Sequence, residues 1–316
     1  MFLQVALRAQ FGSSTRACVC IAAFLLILGV SGLEGQDLEP RAYSASPVGV
    51  AFMGIGFSRS TGGVLLDPSL PFNNVNAKIN ATALGLGYTF PVFHRQSLFT
   101  AVLPYAWGTV SGSVGEQRAS VDRSGLANVK FKFSVNLHGS PALSPREFAQ
   151  RKQSYALAVS LSADAPTGQY SGKKLINLGT NRWAFKPEIG ISYPVKKFYF
   201  DVYTGIWLYA ENDNFFPGGT KRTQDPLPVV QGHISYTLRR RMWLALDATW
   251  YNGGAGHVND GPPISRQNNS RVGTTFALPI GRNQSLKFAY AAGATARAGT
   301  NFRTITAAWQ ITHLPK

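Results

Sequence analysis

Between Asn128 and His138 the chain alternates without interruption. Val129, Phe131, Phe133, Val135 and Leu137 fall on one side; Asn128, Lys130, Lys132, Ser134, Asn136 and His138 fall on the other. Successive side chains of a strand point to opposite faces, so this stretch predicts an amphipathic β-strand. It is roughly ten residues long, which is what a tilted strand needs to cross a bilayer. A half-buried strand of a soluble sandwich alternates in the same way, so the setting depends on whether the pattern recurs.

It recurs along the chain. Alternating or strand-like segments at 48–60, 78–90, 98–107, 128–138, 154–162, 181–193, 198–210, 229–238, 242–251, 270–279, 286–291 and 304–312 make twelve. Long polar connections are expected at 61–75, from 108 to 123, and at 166–179, 212–228 and 252–267. Short turns are expected near His94-Arg95, Pro194 to Lys197, Arg239-Arg240-Arg241 and Gly281 to Asn283; an atypical connector carries Pro141 and Pro145. An even number of amphipathic strands, with long loops alternating with short turns, is the signature of an outer-membrane barrel. The expected fold is therefore all-β, an antiparallel transmembrane barrel of about 12 strands, with both termini in the periplasm. Trp107, Trp183, Tyr193, Phe198, Trp243, Trp250 and Tyr251 lie near strand ends, where an interfacial girdle would put them.

Composition changes the picture at the N-terminus. Arg8 and Arg16 precede the apolar run 17–30, followed by Ser31, Gly32 and Gly35. That order predicts a secretory signal peptide over 1–35, removed near Gly35-Gln36, with 36–316 forming the barrel domain and 36–47 a polar periplasmic lead-in. Cys18 and Cys20, the only cysteines, would leave with it, so no disulfide framework is expected. Charged residues make up 15% of the chain, below the quarter or so usual for soluble domains.

The formal charge is +16. An exported chain without a basic helix or an aromatic-basic module gives no support to nucleic-acid binding. The excess points to contact with membrane lipid and lipopolysaccharide, and to an electropositive interior. Strand parity aims Lys130, Lys132, Arg182, Lys186, Glu188, Asp201, His233, Asp247, Arg271 and Lys287 inward, with cations in the majority. Such a lumen would favour anionic or polar small solutes; alternatively, the charges pair across a filled interior. Other expected contacts are the outer-membrane assembly machinery and small-molecule solutes; no cofactor or metal spacing is present, and no ATP-binding motif.

Two other function classes fit parts of the chain. His233, Ser235 and Asp247 share one face, and a hairpin pivoting at Arg240 sets His233 opposite Asp247. A base beside a hydroxyl and oriented by a carboxylate is the arrangement nucleophilic hydrolysis requires, and it resembles that of outer-membrane phospholipases. Parity, however, turns all three away from the lipid, and no oxyanion-hole element is visible. The ordinary account is a cross-strand pair that stabilises the sheet, so the chain is not expected to be an enzyme. The long loops would suit a structural or adhesive role without transport.

Several segments resemble one family, the outer-membrane transporter-like barrels of the MetA-pathway of phenol degradation. They are Asp37-Leu38-Glu39-Pro40-Arg41-Ala42-Tyr43, Asp67-Pro68-Ser69-Leu70-Pro71, Leu103-Pro104-Tyr105-Ala106-Trp107, Ser134-Val135-Asn136-Leu137, 177–187, Gln231-Gly232-His233 and Leu246-Asp247-Ala248-Thr249. The resemblance spans nearly the whole of 36–316. It implies an outer-membrane β-barrel with a role in uptake and supplies no binding residues. Together with the inward charges and the lack of an ATP-binding motif, it makes passive passage of small molecules, aromatic or anionic, the expected function. The C-terminus, His313-Leu314-Pro315-Lys316, departs from outer-membrane proteins generally in lacking a closing aromatic; Trp309 is the nearest.

Overall fold

A computed structural model describes residues 38–65, 72–114, 117–216 and 218–314. The expected signal segment and both cysteines lie outside the described residues. The strands are β1 (Ala51–Leu65), β2 (Phe72–Val92), β3 (Arg95–Val114), β4 (Gln117–Leu126), β5 (Lys130–His138), β6 (Ala156–Asp164), β7 (Ala184–Val195) and β8 (Phe198–Tyr209). There follow β9 (Asn212–Phe215), β10 (Thr220–Gln224), β11 (Leu227–Arg239), β12 (Met242–Gly253), β13 (Gly256–Val258), β14 (Gln267–Pro279), β15 (Gln284–Thr295) and β16 (Gly299–His313).

Each strand of the main sheet is antiparallel to its neighbours, and the sheet closes because β1 pairs with β2 on one side and β16 on the other. The ring runs on through β3, β5, β6, β7, β8, β11, β12, β14 and β15. It is a closed 12-stranded antiparallel barrel, with β4 and β5 sharing one place beside β3. Closure pairs both edges of the ring strands where they cross the membrane, which a hydrocarbon setting demands.

Burial follows the alternation. In β7 the pattern is strictly buried and exposed by turns from Ala184 to Ser192, with Lys186, Glu188 and Ser192 inside and Phe185, Ile189 and Ile191 outside. Large apolar side chains along the strands are exposed, such as Leu246 at 64% and Ile305 at 63%, while polar ones such as Glu188, Asp201 and Gln231 are buried. That inversion of a soluble protein places an apolar belt against lipid and a polar interior in the lumen. The barrel is an outer-membrane protein.

The tight turns lie at one end. Phe93 and His94 both have positive φ (46° and 61°), as a two-residue type I′ hairpin requires; Lys196 and Arg241 take the same region in their turns. The connection between β5 and β6 holds a one-turn helix, α1 (Pro145–Phe148), with Ser144 and Glu147 forming a reciprocal capping box.

Three expectations about connections are corrected. Residues 61–65 and 72–75, expected as loop, belong to β1 and β2. The expected loop 108–123 is instead paired strand, β3 running to Val114 and β4 starting at Gln117. Their register sets Thr109, Ser111 and Ser113 beside Asp122, Ser120 and Arg118 on one face, and Val110 and Gly112 beside Val121 and Ala119 on the other. Small and glycine residues on that second face leave too weak a hydrophobic period to announce a strand. The expected loops 212–228 and 252–267 contain a small sheet in the order β13-β10-β9.

The lead-in 36–47 is corrected in place. Its described part turns into the barrel rather than lying outside it: Pro40, Ala42, Tyr43 and Ser46 are buried, and their partners are inward-facing strand residues. The segment carries no period, but it does carry groups that match the inner wall.

Candidate functional site: the barrel lumen

The inner wall is built by register. Lys130 lies opposite Asp164 on β6 and pairs with it at 2.8 Å. Lys186 and Glu188 are two residues apart on one face of β7 and meet at 2.8 Å. From β5, Lys132 approaches the same carboxylate at 3.9 Å, so two ammonium groups flank one buried Glu188. A carboxylate in such a place is costly unless paired and hydrogen-bonded.

The N-terminal segment completes this network. Glu39 binds Lys132 at 2.7 Å. The Tyr43 hydroxyl donates to Glu188 Oε1 at 2.5 Å, lies 2.7 Å from Ser160 Oγ, and its ring packs edge-on against Tyr203. Arg41 is held three ways: its backbone N–H donates to Asp201 Oδ2 (3.0 Å), Nε to Ser235 Oγ (2.7 Å) and Nη2 to Thr237 Oγ1 (2.9 Å). The guanidinium also sits 4.2 Å from the Tyr199 ring centre and 4.8 Å from that of Trp243, both cation–π distances. The Tyr203 hydroxyl accepts from the Ala42 N–H at 3.0 Å. Nearer β1, Ser46 N–H donates to Gln96 Oε1 and Val50 N–H to Thr89 Oγ1.

The remaining inward residues spread around the ring. Asp201 also accepts from Ser192 Oγ at 2.5 Å. His233 Nδ1 lies 2.8 Å from Asp247 Oδ1, and Thr275 Oγ1 donates to Asp247 Oδ2 at 2.8 Å. Arg182 reaches Gln224 and stacks over Tyr209. Arg271 approaches Thr304 Oγ1 at 3.5 Å. Lys287 faces inward on β15, with Glu39 and Asp247 as its acidic neighbours. Toward the long-loop end the wall turns apolar, where Trp207, Leu227, Val229 and Tyr251 pack together.

His233 and Asp247 are cross-strand partners, at the register expected from the Arg240 turn. Ser235 is not joined to them; its hydroxyl is engaged by Arg41. The elements of a nucleophile and base are thus present without the hydrogen bond that would couple them. Among the described residues, no group of three or more His, Cys, Asp or Glu could hold a metal.

Sequence reasoning missed Glu39, Arg41 and Tyr43 as lumen residues. They fall in a stretch without alternation, and their partners are 93 to 196 positions away. The one signal was that stretch's place in the family resemblance.

The crystal structure of the COG4313 outer membrane channel from Pseudomonas putida superposes with a TM-score of 0.73 at 18% identity, covering 88% of this chain and 100% of that one. The β domain of the Bordetella autotransporter BrkA gives 0.51 at 11% identity, over 84% of this chain and 99% of the other. At such identities the likeness is one of fold. No curated protein matches significantly. The family model described as "Putative MetA-pathway of phenol degradation" matches residues 56–314, and the chain belongs to that family.

Proposed function

We propose that this barrel is a channel through which small polar or anionic compounds, including aromatic acids, cross the outer membrane down their gradients. The observation that carries the proposal is the lumen, where the cations Arg41, Lys130, Lys132, Arg182, Lys186, Arg271 and Lys287 outnumber the acids Glu39, Asp164, Glu188, Asp201 and Asp247. A wall of one dominant sign sets the sign of the permeant. Tyr203, Trp207 and Tyr251 add aromatic surface to the same interior. The Pseudomonas putida neighbour, itself an outer membrane channel, supports the same role. Residues 39–46 occupy the lumen through hydrogen bonds, the Glu39–Lys132 ion pair, ring contacts and apolar packing of Ala42 and Tyr43, and a segment so held can be displaced without breaking a covalent bond. Planar-bilayer recording tests the proposal: in a salt gradient the reversal potential takes the sign of anion preference. Cation preference, or no conductance even without residues 38–47, overturns it.

A further inference from the structure

The outer wall carries a second charged feature, unrelated to the lumen. Arg59, Lys78 and Arg303 lie on the adjacent strands β1, β2 and β16, respectively, and point away from the lumen. Their inward neighbours Ser58, Ala77 and Phe302 are buried at 4%, 3% and 2%, so alternation turns the three cations out. All three are exposed. Arg303 is the register partner of Thr61, and Thr61 of Lys78, so the two cations flank β1 in one row. Arg59 stands on β1 one outward position below that row. With strands about 4.8 Å apart, the three Cα atoms fit within about 10 Å, and their long side chains can converge on one ligand.

Their height is set by the same register. Arg59 shares its row with Ile305 and, across Asn80, with Trp107. Phe57 stacks obliquely near Trp107, which also neighbours Tyr105. Aromatic rings of this kind mark the headgroup boundary, and the cations stand at and just above it. This is the end with the long loops, the extracellular one. On the outward faces of β7, β8, β11, β12, β14 and β15 no charged residue appears among the described strand positions. The cations are therefore confined to one side of the barrel. Among the described residues none of the three has a hydrogen bond or ion pair. Among the described strand positions of this face, the carboxylate of Asp122 ends the Arg303–Thr61–Lys78–Thr109 row and is engaged by Thr109 Oγ1 at 2.5 Å.

We propose that Arg59, Lys78 and Arg303 form a binding site for the phosphorylated headgroup of an outer-leaflet lipid. The acyl chains of such a lipid would lie on the belt of Ile55, Phe57, Leu84 and Ile305, and its phosphates would meet three cations that have no counter-charge among the described residues. Charge-assisted contacts from arginine and lysine are what phosphate recognition uses.

Native mass spectrometry of the folded barrel in neutral-detergent micelles, titrated with bis-phosphorylated lipid A, tests this. One lipid is expected to remain bound, and R59Q/K78Q/R303Q is expected to weaken binding roughly 100-fold, with each single variant costing about 5-fold. R118Q, on the same face but about 13 Å higher along β4, is expected to change nothing. Dephosphorylated lipid A is expected not to bind, and inorganic phosphate at equal concentration not to compete. Heat-modifiable gel mobility checks that each variant is folded, and the single variants carry the test if the triple does not fold. Equal binding by wild type and folded variants, an equal loss in R118Q, or competition by free phosphate overturns the proposal.

Discussion

Glu188 is the residue on which the inner network turns. It is 5% exposed and receives Lys186, Lys132 and the Tyr43 hydroxyl. Replacing it with Gln strands Lys186 in the wall without a counter-charge, and removing one partner of a buried pair costs about 3–5 kcal/mol. Urea unfolding in lipid vesicles should show that loss for E188Q. Tyr43→Phe should cost less, about 1.5–3 kcal/mol for a hydrogen bond to a charged group, and it should act through the N-terminal segment. On the other wall, Phe133 is a lipid-facing partner of Phe99 and Leu161. A lysine there should cost about 2–4 kcal/mol, whereas Phe133→Leu should be nearly silent in the same measurement. Which side a residue faces was legible from alternation alone, for Lys132 and Phe133 alike. What it touches was not: the partner of Glu188 that matters most for the lumen comes from position 43, and no local period links the two.

At the scale of elements, the segment 38–47 behaves as an inserted piece and not as a strand. Its anchors are Glu39, Arg41 and Tyr43, and its deletion should raise single-channel conductance several-fold while leaving the barrel folded by gel mobility. R41A removes the contacts to Ser235, Thr237, Tyr199 and Trp243 and should give brief openings of the same larger size. The small sheet of the long loops offers a pH test. His257 donates from one ring nitrogen to the Gly261 carbonyl (2.9 Å) and lies 3.3 Å from Asp225 through the other. Making both contacts as a donor requires the imidazolium, so the Gly261 carbonyl first, and Asp225 second, raise its pKa above the usual 6.5. A raised folded value means that the contribution is complete below about pH 6.5 and is lost as pH rises through the folded value. Hydrogen exchange at β10 and β13 should accordingly quicken above neutral pH, and H257Q should remove the dependence. The sequence showed these loops as polar stretches because strands of three to five residues, partly buried along their length, have no apolar face to impose a pattern. It also hid the upper halves of β3 and β4, where the outward face is polar and only Val110, Val121 and Ala119 mark the other.

For the whole molecule, twelve strands, their order and the alternation of long and short connections followed from a period of two and from turn chemistry. The closing contact did not, because β1 and β16 are paired across almost the full length of the barrel, from Ala51↔His313 to Leu65↔Gly299. Removing β16 should therefore abolish the heat-modifiable form altogether, since it leaves two unpaired edges in lipid. The N-terminal segment acquires a further meaning here. It joins directly to β1, yet its side chains are fixed to β5, β7, β8 and β11. It is a spoke across the ring, tying one closing strand to the far wall. Bringing β1 to β16 means shutting a loop of more than 200 residues, and a spoke already seated on the wall shortens that search. The same residues that fill the lumen would then also hasten its enclosure, so that a barrel lacking them refolds into vesicles more slowly even where its final stability is little changed.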